Sequence, residues 1–250
     1  MKKIKLLITV LTLFLTTACT TIAVPQVPPS TKDPLEAWTS VLENYVNDKG
    51  QVDFISLNND LADLHIYVNY ISTANPANFV NDNERLAHYI NAYNAMAMFG
   101  VIEAGLPKTN DGAAKVNFFY LKRYVIDGET QSLYAYEEKI RKLGDPRVHF
   151  VLNCMSVGCP VLPKQPFRGG NIQESLAAET LKFFADPSKL RIDSANKVVH
   201  LSEILDFYTD EFVAYSGSLL AFVNEHGKQN IPEDFAVEYI PYDWTFNQSP

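Results

Sequence analysis

The run NERLAHYINAYNAMAMFGVIEAGLP, Asn83 to Pro107, sets the architecture. From Asn83 to Ala104 it is the longest helical pattern in the chain, with Leu86, Ile90, Tyr93 and Ala97 recurring along one face. Gly105, with Pro107 beyond it, supplies the stop. Asn91 and Asn94 fall one turn apart on the neighbouring face. Asparagine costs several tenths of a kcal/mol in a helix interior, and a buried amide must find hydrogen-bond partners. The pair is therefore expected to tie down nearby loop backbone, with contact to a substrate as the alternative. The two roles are compatible, since amides that order a loop can order a catalytic one.

Outward from this helix the pattern is helical on the N-terminal side and mixed on the C-terminal side. Leu35–Val46 and Leu57–Ile71 carry apolar residues at helical spacing, as do Ser132–Arg141, Ile172–Ala185, Ser202–Tyr215 and Ser218–Glu225. Strand-like pieces are RYVI and TQSL around Asp127-Gly128, VHFVL, LRID and KVVHL around Ser194–Asn196, and VEYIPY. Hairpins beside helices, rather than regular strand–helix alternation, predict an α+β fold: a helix-rich single domain with a small, largely antiparallel sheet.

The composition fits one globular unit from about residue 35 to residue 250. The chain is 47% hydrophobic and 12% aromatic, ample for a large core, and it shows no internal repeat or second linker. Its formal charge is −8. An acidic chain without a basic stripe argues against a nucleic-acid partner.

Residues 1–18 resemble a secretory signal. MKKIK puts three lysines before the apolar run LLITVLTLFL, which is too short to span a bilayer. Cys19 after Ala18 matches a lipoprotein signal, in which the cysteine is acylated and becomes the new N-terminus; cleavage without lipid is the alternative. Removal of Lys2, Lys3 and Lys5 with the signal takes the formal charge from −8 to −11. Residues 19–34, with Pro25, Pro28, Pro29 and Pro34, read as a proline-rich tether. These features imply a bacterial cell envelope protein held by a lipid anchor, with Thr20 pointing to the outer membrane facing the periplasm. A soluble periplasmic or secreted form is the alternative.

Familiar chemical motifs are missing. The chain has no phosphate loop, dinucleotide fingerprint, HExxH or GxSxG. Its five histidines, at 65, 88, 149, 200 and 226, lack metal-ligand spacing. His149, Cys154 and Cys159 would leave a closed zinc site one ligand short, so neither a metal nor another cofactor is expected.

One stretch can do chemistry: HFVLNCMSVGCPVL, His149 to Leu162. A cysteine after a strand and before a loop suits a nucleophile, provided a base or positive charge lowers its pKa from about 8.5. Cys154 is the candidate nucleophile and His149 or His200 the candidate base. A disulfide between Cys154 and Cys159 is the competing expectation, since thiol pairs outside the inner membrane tend to oxidise. Five extended residues would span about 17 Å, so bridging needs a turn, which Gly158 permits. Glu137 and Arg141, four apart on one helix, fit a surface ion pair or a site.

Several blocks together resemble the domain of unknown function 547 family: LAHYINAYNA, SLYAYEEKIRKLGDPRVHFVLNCMSVGCPVL, VVHLSEILDFYTDEF, the terminal YDWTFN and the opening AWTSVLENYVNDKGQVDF. The likeness runs from about residue 35 to residue 247. Its matching positions are Asn91, Tyr93, Asn94, Glu137, His149, Cys154, Cys159, Pro160, Asp243, Trp244 and Asn247. Two departures from it are visible: Met155 stands where a small residue is usual, and His88-Tyr89 where paired aromatics are. Many bacterial members resemble secreted or envelope proteins, in line with the N-terminal signal, but the family implies no activity. The expectation is then a thiol-dependent hydrolase or transferase acting on a peptide or acyl group, with Asn91, Asn94 and Glu137 as binding residues. A disulfide-bridged, non-catalytic binding or scaffold lipoprotein is the alternative, and a redox role the weakest of the three.

Overall fold

The computed structural model describes residues 20–29 and 31–250; the signal and Cys19 lie outside the described residues. It is α+β, built around the long helix. Helix α1 (Pro34–Tyr45) is started by Asp33, whose carboxylate accepts from the Leu35 and Glu36 N–H groups, with proline at the first helical position. Helices α2 (Phe54–Asn59) and α3 (Ala62–Thr73) follow. The expected single helix over Leu57–Ile71 is thus broken at Asp60 and Leu61 and starts earlier. Asp53 caps α2 through the Ser56 N–H and draws its start back to Phe54.

Helix α4 (Asp82–Glu103) is capped by Asn81, whose side chain accepts from the Glu84 N–H. Gly105 (φ +76°) and Leu106 (φ 55°) turn left-handed and end it. The expected apolar stripe understates its burial: every residue from Leu86 to Ile102 is buried, including His88, Asn91 and Asn94. A helix covered on all sides is the axis of the core. Around it pack Trp38, Tyr67, Val41, Leu64 and Tyr136, with the Trp38 and Tyr67 rings stacked at 5.5 Å.

After α4 come the short α5 (Ala113–Val116), a π-helical turn at Asn117–Leu121 and a hairpin, β1 (Tyr124–Ile126) with β2 (Glu129–Gln131). Helix α6 (Leu133–Arg141) is capped by Ser132. The expected strand VHFVL is instead a 3₁₀ turn, Pro146–Phe150. Asp145 accepts from the Arg147 N–H and Pro146 takes the first position, so helical start chemistry overrides the β-branched run. Helix α7 (Ile172–Ala185) has the expected bounds.

The second sheet joins β3 (Leu190–Asp193), β4 (Val198–Ser202) and β5 (Ala236–Ile240). β3–β4 is the expected antiparallel hairpin, but β5 runs parallel to β4. The expected helix over Ser202–Tyr215 is divided at Tyr208 into α8 (Ile204–Phe207) and α9 (Thr209–Ser216), and α10 (Leu219–Gly227) follows. These elements close a second core of Phe150, Phe184, Phe212 and Phe222. Tyr242 packs against both cores.

The segment read as a free tether is docked where it is described. The Ile22 N–H donates to the Arg123 carbonyl at 2.8 Å, and the Arg123 N–H donates to that of Thr20 at 2.9 Å. The Asn69 amide reaches the Pro25 carbonyl at 3.2 Å, and Ile22 packs on the core. Prolines exclude a helix here but not an edge pairing.

Candidate functional site

The two asparagines of α4 act as rungs of backbone. The Asn94 oxygen accepts from the Asn153 N–H at 2.8 Å and its NH₂ donates to the Val151 carbonyl at 2.9 Å. Asn91 does the same for one residue, Phe167, at 2.9 and 2.7 Å. Their expected part in tying down loops is what their geometry performs. Asn153 continues the chain of contacts: its oxygen accepts from the Met155 N–H at 2.7 Å and its NH₂ donates to the Pro160 carbonyl at 2.7 Å.

The loop so held is clamped from the other side by the C-terminal segment. The N–H groups of Val157 and Gly158 donate to the carbonyls of Thr245 and Asp243, both at 2.8 Å, and the Asn247 N–H donates to that of Met155 at 2.8 Å. Buried Lys189 donates to the Gly158 carbonyl at 2.8 Å and the Val157 carbonyl at 3.1 Å. The chain bends at Met155 (φ 69°), a left-handed conformation that only glycine adopts without strain, and then turns at Val157-Gly158, where the Cys159 N–H donates to the Ser156 carbonyl at 3.1 Å. Gly158 is needed for space: a Cβ there would lie 2.7 Å from carbons of the Tyr242 ring.

This clamping brings the thiols together. Cys154 and Cys159 Sγ are 3.0 Å apart, and the Tyr242 hydroxyl contacts both, at 3.2 and 2.9 Å. The Cys154 N–H donates to Cys159 Sγ at 3.1 Å, and Ser156 Oγ is 3.5 Å from Cys154 Sγ. The expected disulfide is not formed. Both cysteines are free, and 3.0 Å exceeds the roughly 2.05 Å of a sulfur–sulfur bond. The hydrogen bond from Cys159 outweighs burial and, with those from Ser156 and Tyr242, brings the Cys154 thiol down to about 7. Burial pushes the Cys159 thiol up. Gly158→Ala should drive the Tyr242 ring off the sulfurs. Loss of that donor is expected to raise the Cys154 pKa by about one unit, read near pH 6 as roughly tenfold less thiolate and, after the gain in intrinsic nucleophilicity, about threefold slower alkylation.

The thiols line a cleft of about 550 Å³. Its far wall is an acid–aromatic network. Glu137 accepts from the hydroxyls of Tyr93 (2.7 Å) and Tyr208 (2.6 Å) and faces Arg141 at 3.6 Å. Arg141 donates to Glu211, whose other oxygen pairs with His149 Nε2 at 2.9 Å. The His149 ring stacks on Tyr208 at 3.9 Å. Burial alone would raise the Glu211 carboxyl, but the bonds from His149 and Arg141 hold it below its ordinary value. Lys115 sits 3.7 Å over the Trp244 ring, which also lines the cleft.

Of the expected site residues, Cys154, Cys159, His149 and Glu137 meet in this cleft. His200 does not: on β4 its Nδ1 lies 3.3 Å from Glu238, its register partner on β5, and it is not among the cleft residues. Asn91 lines a different, smaller cavity with His88 and Tyr70. Neither histidine is a hydrogen-bond partner of Cys154 among the described residues. Tyr242, Tyr208, Glu211 and Lys189 belong to the site and were not anticipated. Tyr242 opens the quoted block YDWTFN, so its signal was there. Tyr208 and Glu211 lie within the quoted block VVHLSEILDFYTDEF, and Lys189, outside every quoted block, carries none, since it arrives by tertiary contact. Among the described residues no group of three or more His, Cys, Asp or Glu is placed to hold a metal ion, and no helix is long and apolar enough to cross a membrane.

Residues 77–184 match the family model described as "Protein of unknown function, DUF547", so this segment belongs to the domain of unknown function 547 family. It contains the Asn91 and Asn94 rungs, Glu137 and the thiol loop. No curated protein and no solved structure matches the chain.

Proposed function

We propose that the protein is a thiol-dependent hydrolase or transferase that attacks a peptide or acyl carbonyl with Cys154. The observation that carries this reading is a cysteine thiol lowered to about 7 that lines a cleft. A thiolate supplied by fixed hydrogen bonds needs no base in contact with it. The N–H groups beside Cys154 are already committed, that of Cys154 to Cys159 Sγ and that of Met155 to Asn153. A developing oxyanion would therefore be met by the Tyr242 hydroxyl rather than by backbone. His149, oriented by Glu211, is the group in the cleft able to carry a proton to the leaving atom.

The protein treated with p-nitrophenyl acetate should show an acetyl mass on Cys154, absent in Cys154→Ser, with slower deacylation in His149→Ala. An acylated Cys154→Ser chain, or no acylation of the parent, overturns the reading. The second reading, a non-catalytic binding lipoprotein, is favoured by one observation: both thiols are buried and contact each other rather than a base. An inert thiol in the same experiment would select it.

The N-terminal pattern supports a lipid anchor at Cys19 in a bacterial envelope, with the membrane as partner. Cys19→Ser should release the protein into the soluble envelope fraction and end incorporation of labelled fatty acid. Equal fractionation of variant and parent excludes the anchor.

A further inference from the structure

We infer that Cys154 and Cys159 form a dithiol–disulfide exchange site, which gives two electrons to an organic disulfide entering the cleft. This rests on Cys154 being a nucleophile, as above, but assigns it a second reaction and gives Cys159 a chemical role.

The geometry is that of a pair one step from bonding. The sulfurs are already 3.0 Å apart, so a bond of about 2.05 Å needs a movement of roughly 1 Å. Met155 bends the loop and Val157-Gly158 turn it, while Asn153, Lys189 and the C-terminal segment at residues 243–247 hold it; the proximity is thus built in by buried contacts. A single hydroxyl, that of Tyr242, touches both sulfurs and can pass a proton between them. The Cys154 N–H points at Cys159 Sγ, where it stabilises charge as that sulfur ionises. The two thiols are also unlike. Cys154 is held toward the thiolate and Cys159 toward the thiol, an order that makes the first the attacking group and the second the resolving one. The rings of Tyr242 and Trp244, 4.3 Å apart, form an apolar wall beside them, suited to a flat, uncharged disulfide.

In the first step the Cys154 thiolate attacks one sulfur of R–S–S–R. A Cys154–S–S–R mixed disulfide forms and one R–S⁻ leaves, taking a proton from solvent. Cys159, deprotonated through Tyr242, then attacks the Cys154 sulfur. The Cys154–Cys159 bond forms, the second R–S⁻ leaves and receives that proton. Two protein thiols are oxidised by two electrons, and one organic disulfide is reduced to two thiols.

The test uses the full chain carrying Cys19→Ser, so that only Cys154 and Cys159 count, reduced and then mixed with 4,4′-dithiodipyridine. Two thiopyridones per chain should be released, leaving a folded protein without adduct and lighter by two hydrogens. Cys159→Ser in the same background should stop after one release, with a mixed disulfide on Cys154. A stable single adduct on the Cys159-containing chain, or two separate adducts, overturns exchange while leaving Cys154 a nucleophile. No reaction of the native chain overturns both readings.

Discussion

Alkylation of Cys154 by iodoacetamide will follow a titration centred near pH 7, and Cys154→Ser will abolish it. The thiol stands at about 7 because Cys159, and after it Ser156 and Tyr242, donate hydrogen bonds to the sulfur, against the opposing effect of burial. The direction follows from the sign: a depressed acid pKa means that the thiolate fraction rises through pH 7 rather than through the ordinary value of about 8.5. At pH 6 this gives about thirtyfold more thiolate than an ordinary cysteine. Its intrinsic nucleophilicity falls by about fivefold over the same interval, which leaves a net advantage of roughly sixfold. Cys159, pushed up by burial, should label only at higher pH. Tyr242→Phe removes one donor to the thiolate, worth about 1.5–3 kcal/mol for a bond to a charged group, so the profile should move up by about one to two pH units. A parent profile centred at 8.5 or above, or one unmoved by Tyr242→Phe, would show that the surrounding donors do not stabilise the thiolate.

How much of this was legible in the sequence depends on whether the signal was local. The long helix, its glycine stop, the two hairpins and the bounds of α7 follow from periodicity and turn chemistry within a few residues, and the structure has them. The proximity of the cysteines was legible too, from five residues and a turn that includes Gly158, although the left-handed bend at Met155 was not. The 3₁₀ turn at Pro146–Phe150 was not. There a β-branched and aromatic run loses to an Asp-Pro start whose cap is visible only once Asp145 is seen accepting from Arg147. The parallel pairing of β5 on β4 joins segments more than thirty residues apart with no turn to announce it. His200 had the right residue type for a base and the wrong address, because a strand in the second sheet places it against Glu238. Tyr242 and Lys189 reach the thiol loop only through the folding of the C-terminal half around it, a contact that no spacing rule encodes.

Asn94→Ala should be one of the two most damaging single substitutions in α4 that remove no apolar group, Asn91→Ala being the other. The side chain satisfies two buried backbone groups at once, the Asn153 N–H and the Val151 carbonyl. Each, left unpaired, costs about 1–3 kcal/mol, so a loss of about 3 kcal/mol is expected, or roughly 6–12 °C in melting temperature for a chain of this length. Asn94→Asp should not rescue it: a carboxylate can accept from Asn153 but cannot donate to Val151, and it adds a buried charge. Asn91→Ala removes the equivalent pair of bonds to Phe167 and should cost a similar amount. The two variants part company at the thiol. Asn94 fixes the residues immediately before Cys154, so its loss lets the sulfur drift from its donors and should raise the pH of half-maximal alkylation. Asn91 fixes a segment beyond Cys159, so its loss should leave that midpoint where it was. Equal shifts in both variants would mean that the helix acts on the thiol only through global stability, and unchanged melting temperatures would mean that the amides do not carry the loop at all.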